Sequence, residues 1–235
     1  MGIKALLMKV IYGDRADSDS YVKYLRKKGM RIGERTTVYN PRSSVIDETR
    51  PWLVEIGDDV KLTHGVIILT HGYDWSVFKV RDGEVFGSAG KVTIGNNVFV
   101  GMNTVILKGV TIGDNVIIGA GSLVNKDIPD NCVVAGNPAR VIMSLDEYHE
   151  KRKAAQVAEA CQLAEEYRKV YGKEPDEKAL DEFFWLFTDD PEQITDPSWQ
   201  FKMGLGGNEE LSNQVIRKHK KQFANMQEFL EFSKK

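Results

Sequence analysis

The chain has 235 residues and a net charge of −2, with 42% hydrophobic and 28% charged residues. These values are ordinary for a folded protein with a hydrophobic core, so they argue against disorder along the whole chain. The near-neutral charge argues against a dedicated nucleic-acid binder, for which an excess of basic residues is expected. Cys132 and Cys161 are too few for a disulfide framework or a zinc site, and they favour a reduced, cytoplasmic protein.

Residues 1–30 predict an N-terminal cap of two short helices. Apolar residues at helical spacing mark the first helix, which stops at Gly13, and these residues are Ile3, Leu6, Leu7, Val10 and Ile11. Asp17 or Ser18 begins the second helix, and Gly29 ends it. Lysines interrupt the first apolar segment, so it predicts neither a signal peptide nor a membrane span.

Residues 31–143 contain a six-residue repeat of aliphatic side chains. Its positions are Ile94, Val100, Ile106, Ile112, Ile118 and Val124, with the same frame upstream at Ile56, Leu62 and Ile68 and more weakly at Ile32 and Val38. A period of six fits neither an amphipathic helix nor a hairpin meander, and an alternating β-sandwich would not keep one frame for so long. The repeat predicts short strands wound as three faces of a prism, with about 18 residues per coil. One aliphatic side chain per face points inward, and coils stack about 4.8 Å apart.

Residues 144–235 predict an α-helical extension. Ser144 and Glu147 form a capping box at the start of a long helix that ends near Tyr171. A second helix is predicted from Pro175, and a last amphipathic helix follows a break at residues 205–207. The apolar positions are Leu180, Phe183, Phe184 and Phe187 in the second helix, and Val215, Ile216, Phe223, Met226, Phe229 and Leu230 in the last. Such stripes are more typical of packing than of a ligand site.

The repeat is interrupted once, by residues 72–91, directly after His71. This excursion contains large aromatic residues and is too long for a plain connection, so a functional loop is expected. The sequence at its start is His71-Gly72-Tyr73-Asp74.

Residues 94–101 (IGNNVFVG), 112–122 (IGDNVIIGAGS) and 135–142 (AGNPARVI) closely resemble the hexapeptide-repeat acyltransferases. The nearest branch is that of sugar and polysaccharide O-acetyltransferases, close to the galactoside, maltose and xenobiotic acetyltransferases. The resemblance covers about residues 31–143 and leaves the C-terminal extension unexplained. It implies a mainly β fold, a left-handed parallel β-helix with helices at both ends. It also implies a homotrimer with active sites in grooves between prisms, acetyl-CoA as cosubstrate along a prism edge, and no metal.

The resemblance assigns His71 the role of general base, with Asp74 completing the family's H-x-x-D setting. A sugar hydroxyl is a poor nucleophile until a base removes its proton during attack on the thioester. Free imidazole has a pKa of about 6.5 and suits that task. His64 lies one face earlier, and a structural role fits it better.

The resemblance also places five residues near coenzyme A. Ala120 matches a backbone contact to the pantetheine arm, and Arg140 matches a basic residue that meets the phosphates. Lys126 is the retained half of a Thr-Lys pair in which Asn125 replaces the threonine. Met102 replaces a small polar residue of the family, and the second basic residue, three places after Arg140, is missing.

Asn40, Asp47 and Trp75 are the candidates for binding the acceptor. Asn40 and Asp47 lie in a less regular coil where related enzymes bind sugar hydroxyls, and Trp75 in the excursion can stack on a sugar ring. The sequence thus predicts acetyl transfer to a hydroxyl of a sugar or surface-polysaccharide precursor.

Two other functions stay open. An amino group on a sugar nucleotide as acceptor would make the protein an N-acetyltransferase, and a non-catalytic β-helix would bind partners through the helical extension. A zinc carbonic anhydrase on the same prism is excluded, because only His64 and His71 lie in the repeat region and a catalytic zinc needs three protein ligands.

Overall fold

The computed structural model describes residues 3–234. Residues 1 and 2, where the predicted cap begins, and residue 235, where the predicted extension ends, lie outside the described residues. The chain forms two compact units, Met1–Tyr148 and His149–Lys235.

Short strands in the first unit follow the six-residue repeat and are distributed in turn over three sheets. They are β1 (Arg31–Ile32), β2 (Thr37–Val38), β3 (Val45–Ile46), β4 (Val54–Ile56), β5 (Lys61–Leu62), β6 (Ile67–Ile68), β7 (Val92–Ile94), β8 (Val98–Val100), β9 (Val105–Ile106), β10 (Thr111–Ile112), β11 (Val116–Ile118), β12 (Leu123–Val124), β13 (Cys132–Ala135) and β14 (Arg140–Ser144). The first sheet has the order β1-β4-β7-β10, the second β2-β5-β8-β11-β13-β14, and the third β3-β6-β9-β12. Neighbours are parallel except β13 and β14, which are antiparallel.

The register of the strands stacks equivalent repeat positions on one another. Ile94 pairs with Ile112, and Ile106 pairs with Val124, each partner being eighteen positions further along the chain. The repeat side chains are buried and form one continuous core along the prism. The predicted period, its inward-facing positions and the coil length are therefore confirmed.

One coil departs from the regular spacing, as the sequence indicates. Ile46 on β3 follows the repeat position Val38 by eight residues and precedes Ile56 by ten. The additional residues form a turn before β3 and a 3₁₀ turn at Pro51–Leu53 after it. Asn40 and Asp47 both lie on this irregular coil.

The N-terminal cap consists of α1 (Ile3–Tyr12) and α2 (Ser18–Lys28). Asp17 caps α2 by accepting a hydrogen bond from the Ser20 amide, and Gly29 ends it with a φ of 107°. Both helices and these caps confirm the prediction. The residues of α2 that are buried in the prism core are Tyr21, Val22 and Leu25.

The excursion after His71 contains a helix, α3 (Trp75–Asp82), that the sequence did not predict. Its two ends are joined to each other, because the Gly72 amide donates to the Ser88 carbonyl at 3.0 Å. The excursion therefore leaves and re-enters the prism at one place.

Helix α4 (Leu145–Tyr171) begins in the first unit and continues into the second, and its start confirms the predicted capping box. The Glu147 amide donates to Ser144 Oγ at 3.1 Å, and the Ser144 amide donates to Glu147 Oε2 at 2.7 Å. The remaining helices are α5 (Pro197–Gly204), α6 (Glu209–Ile216) and α7 (Met226–Phe232). Among residues 3–234, none of the helices combines the length and the apolar character needed to cross a bilayer.

Two predicted helices of the extension are wrong. The segment after Pro175 forms tight turns, in which most of the amides donate to the carbonyl three residues earlier, for example Phe183 to Leu180. The predicted last helix is divided into α6 and α7, since the Gln222 and Phe223 amides both donate to the Leu186 carbonyl. The apolar side chains are nevertheless mostly buried, so the stripes predicted the core correctly and the helix type incorrectly.

Because the coils stack closely, substitution by alanine should destabilise the protein far more at Gly101 than at Gly87. A Cβ at Gly101 would lie 2.5 Å from the Ala120 nitrogen and 2.7 Å from the Ile118 oxygen, whereas a Cβ at Gly87 meets nothing within 4 Å. Gly101→Ala should lower the free energy of unfolding by about 1–3 kcal/mol or more, because backbone must move. Gly87→Ala should change it by less than about 0.5 kcal/mol. Urea denaturation followed by circular dichroism tests this, and equal midpoints would contradict the stacking.

Candidate active site

The predicted site residues lie mainly on two edges of the prism. The first, called the His71 edge, consists of the turns that follow the third-sheet strands β3, β6, β9 and β12. The second, called the Met102 edge, consists of the turns that follow the second-sheet strands β2, β5, β8 and β11. Each edge is a column of turns, because the coils stack in register.

His71 on the first edge is paired with a buried carboxylate. Its Nδ1 lies 2.6 Å from Asp47 Oδ2, and the two side chains are 30% and 5% exposed, respectively. The stacking of β3 on β6 brings them together, since Ile46 pairs with Ile68 and the Asp47 amide donates to the Ile68 carbonyl. The imidazole is therefore held by one nitrogen while part of its ring faces solvent.

Asp47 is held in its charged form by several donors. Thr49 donates from its hydroxyl at 2.6 Å and its amide at 3.0 Å, and Thr70 donates from its amide at 3.1 Å and from its hydroxyl. Burial alone would raise the pKa of Asp47, but the hydrogen bonds from Thr49, Thr70 and His71 outweigh it and hold that pKa well below its usual range.

The charge of Asp47 fixes the orientation of the imidazole. An ionised carboxylate only accepts hydrogen bonds, so Nδ1 of His71 is the nitrogen that carries the proton. In the neutral ring, Nε2 then has a free lone pair. The arrangement can accept a proton at Nε2 and stabilise the resulting positive charge through Asp47.

The contact between His71 and Asp47 changes the roles expected for Asp47 and Asp74. Asp47, predicted to bind the acceptor, uses its two oxygens on Thr49, Thr70 and His71. The structure therefore favours it as the positioning partner of the imidazole. Asp74, predicted for the catalytic pair, directly precedes α3, and its carbonyl accepts from the Val77 amide at 3.1 Å. No hydrogen bond joins it to His71 in the described chain, and its catalytic role stays a prediction.

The neighbour of Asp47 is tied to the N-terminal cap. Glu48 accepts from Arg15 at 2.8 Å and from the Tyr24 hydroxyl at 2.7 Å. Burial alone would raise the pKa of Glu48, but the hydrogen bonds from Tyr24 and Arg15 outweigh it and lower that pKa. Burial raises the pKa of Tyr21, which also contacts Glu48, to about 12. The turn that carries Asp47 is thus anchored by charged and phenolic groups from the cap, which sequence reasoning missed.

Asn40 lies on the other edge, so the structure does not bring it together with Asp47. Its Nδ2 lies 2.8 Å from His64 Nδ1, and Ser43 Oγ lies 3.2 Å from the same nitrogen. The Asn40 Oδ1 atom is buried, and among the described residues nothing donates to it. A buried amide oxygen without a donor is unfavourable, so a side-chain rotation that exposes this atom to a donor would be favoured.

The predicted coenzyme A residues divide between the edges. Asn125 and Lys126 follow β12 on the His71 edge, and Met102 and Ala120 follow β8 and β11 on the Met102 edge. Met102 and the turn after Ala120 are directly stacked, since the Gly121 amide donates to the Met102 carbonyl at 2.7 Å.

All five of the predicted coenzyme A side chains are exposed. Arg140 begins β14 and bonds to the Ala139 carbonyl at 2.7 Å. These positions leave the cation of Arg140 and that of Lys126 accessible to an anionic ligand.

Trp75 lies half-buried in the excursion with its ring against Tyr73, at a centroid distance of 4.9 Å. The excursion returns to the His71 edge, because the Gly90 amide donates to the Thr70 carbonyl at 2.9 Å. Trp75 therefore belongs to a segment that begins and ends beside the imidazole.

No group of three or more histidine, cysteine, aspartate or glutamate side chains that could hold a metal ion lies within the described range 3–234.

A sequence profile described as "Bacterial transferase hexapeptide (six repeats)" matches residues 91–126. Protein CapG of Staphylococcus aureus is 42% identical over 127 residues, which cover 54% of this chain and 73% of that protein. Galactoside O-acetyltransferase of Escherichia coli is 38% identical over 57% of this chain and 64% of that protein. Polysialic acid O-acetyltransferase of Escherichia coli is 42% identical over 47% of this chain and 35% of that protein.

The donors around Asp47 predict a dependence of stability on pH. Because its folded pKa lies below the unfolded value of about 3.9, its stabilisation is present above that value and is lost as the pH falls. Asp47→Asn should lower the free energy of unfolding at pH 7 by about 1–3 kcal/mol and should flatten its decrease below about pH 4. Asp82→Asn, at an exposed ion pair, is the control and should change it by less than about 0.5 kcal/mol. Urea unfolding at several pH values measures this, and an unchanged acid limb would refute it.

Proposed function

We propose that this chain transfers the acetyl group of acetyl-CoA to a hydroxyl of a sugar or surface-polysaccharide precursor. The chain belongs to the bacterial hexapeptide-repeat transferase family and is an acetyltransferase. The observation that carries the mechanism is the 2.6 Å contact between His71 Nδ1 and the buried Asp47 carboxylate. That contact leaves Nε2 of the imidazole as the proton acceptor.

In the proposed step, Nε2 of His71 takes the hydroxyl proton while the acceptor oxygen attacks the thioester carbonyl carbon. As the tetrahedral intermediate collapses, the carbon–sulfur bond breaks and the acetyl ester is formed. The imidazolium then returns its proton to the departing thiolate of coenzyme A. Asp47 stabilises the imidazolium between these two transfers and keeps the ring in the tautomer that the step requires.

Coenzyme A is proposed to lie between one chain's His71 edge and a second chain's Met102 edge. Within one chain, Lys126 and Ala120 follow strands of different sheets and so lie on different edges. A homotrimer of left-handed prisms, as the family resemblance implies, would place unlike edges against each other. The cations of Lys126 and Arg140 would bind the phosphates, and the exposed residues Met102 and Ala120 would line the pantetheine arm.

The acceptor is proposed to be oriented by Asn40 and Trp75. The Oδ1 atom of Asn40 has no donor among the described residues and would accept a hydrogen bond from an acceptor hydroxyl once the side chain turns outward. Trp75 in the excursion offers an aromatic face to a sugar ring. The chain is also similar to galactoside and polysialic acid O-acetyltransferases, which are named for sugar acceptors.

Calorimetric titration with acetyl-CoA tests the donor half of this function without knowledge of the acceptor. We expect about one site per chain with a Kd between about micromolar and sub-millimolar values. His71→Ala should keep this affinity but lower kcat with an acetylatable sugar by about 10²–10⁴-fold, because the base is lost. A folded protein that fails to bind acetyl-CoA at about millimolar concentration would contradict the proposal. A panel of hydroxyl and amino sugars then identifies the acceptor group.

Activity also distinguishes the two carboxylates. Asp47→Asn would present an amide donor to Nδ1 and move the imidazole proton to Nε2, so kcat should fall by about 10²–10⁴-fold with little change in acetyl-CoA affinity. Asp74→Asn should have the smaller effect, because no hydrogen bond joins that carboxylate to the ring in the described chain. The reverse order of kcat values would return the positioning role to Asp74.

A further inference from the structure

The N-terminal helix α1 keeps its apolar stripe outside the protein core. Leu6, Leu7, Val10 and Ile11 follow the helical spacing of a buried face, yet Val10 is 77% exposed and the others are more than half exposed. In contrast, α2 buries its own apolar side chains in the core of the prism. Contiguous exposed apolar surface of this kind marks an interaction site.

A basic groove lies beside this stripe. Lys9 of α1 and Lys23, Lys27 and Lys28 of α2 line a space of about 550 Å³, together with Ser20 and Tyr24. Asp14 is the carboxylate that lines the groove, and Asp17 and Asp19 lie at the start of α2. None of Lys23, Lys27 and Lys28 forms an ion pair with a carboxylate in the described part of the chain. The ammonium group of Lys28 lies instead 5.4 Å from the centre of the Tyr24 ring.

The charge of this region differs from that of the rest of the chain. Residues 3–28 contain seven basic and three acidic side chains, a net charge of +4, whereas the whole chain has a net charge of −2. The basic charge is therefore concentrated next to the exposed apolar stripe. An apolar helix face flanked by lysines is typical of helices that lie in the interface of an anionic membrane.

We propose that α1 and the basic groove form a docking surface for an anionic lipid membrane. The side chains of Leu7 and Val10 would enter the boundary between headgroups and acyl chains, and Lys23, Lys27 and Lys28 would contact the lipid phosphates. The helix lies in the surface and does not span it, because ten residues extend only about 15 Å.

The same surface of a second copy fits less well. A two-fold contact of the surface with itself would bring two groups of like-charged lysines together, and repulsion between them would oppose the apolar contact. An anionic lipid surface instead complements the charge and accepts the apolar side chains at once.

Co-sedimentation of the full chain with vesicles tests the proposal. Vesicles of phosphatidylcholine with about one third phosphatidylglycerol should bind the protein, and vesicles of phosphatidylcholine alone should bind it far less. The triple variant Lys23→Gln/Lys27→Gln/Lys28→Gln should weaken binding by about fivefold per lysine, and the effect should disappear at high salt. Lys218→Gln/Lys220→Gln, two exposed lysines of the second unit, is the matched control and should leave binding unchanged.

The apolar stripe has its own variant. Leu7→Gln/Val10→Gln should weaken vesicle binding at least about tenfold, whereas Val170→Gln/Leu211→Gln, at two exposed positions of the second unit, should not. Circular dichroism and light scattering establish that the variants keep their helices and their oligomeric state.

Three results would overturn the proposal. They are the absence of binding to anionic vesicles, binding that neither variant weakens, and a change of oligomeric state in Leu7→Gln/Val10→Gln that assigns the stripe to a second copy. Acetyl-CoA binding, measured in parallel, reports on the proposed acetyl transfer and does not decide this inference.

Discussion

The requirement that each coil stack in register on the next determines where this acyltransferase can vary. Ile94 pairs with Ile112 eighteen residues on, and a Cβ at Gly101 would collide with the backbone of the coil above. An insertion within a strand would shift every inward-facing side chain after it. Additional residues are therefore tolerated only at the turns. The excursion after His71 and the irregular coil around Asp47 both lie there, and both contribute to the candidate site.

Turns at the edges also explain why one chain holds only part of a donor site. The edges repeat the same geometry coil after coil, so a long ligand such as coenzyme A can be contacted along a column of turns. Lys126 stands in the column that contains His71, and Ala120 stands in another. A site that used both would need two chains, which gives oligomerisation a chemical role in the proposed function. The same division separates Asn40 from Asp47, although only six residues lie between them.

Local and periodic signals were sufficient for much of the fold. The repeat positions predicted the core because each inward side chain depends only on its own face, and the Ser144–Glu147 capping box predicted the start of α4 because its bonds are local. The partner of His71 was missed because Ile46 and Ile68 are 22 residues apart, and the irregular coil hides the stacking of Asp47 beneath the imidazole. The division of the last predicted helix into α6 and α7 was missed for a different reason. Distant amides at 222 and 223 bond to the Leu186 carbonyl, and no local pattern records that contact.

In the N-terminal region, Arg15 and α2 contact the prism, whereas α1 exposes its apolar stripe. Arg15 donates to the carbonyls of Pro41 and Ser44 as well as to Glu48, so it fixes the turn that carries Asp47. The burial of α2 and these contacts fix the cap to the prism, and Leu6, Leu7, Val10 and Ile11 of α1 are not among the buried core residues. The apolar stripe of α1 leaves apolar surface exposed, which is unfavourable in water. An anionic membrane, the proposed partner, would take up both the stripe and the lysines beside it.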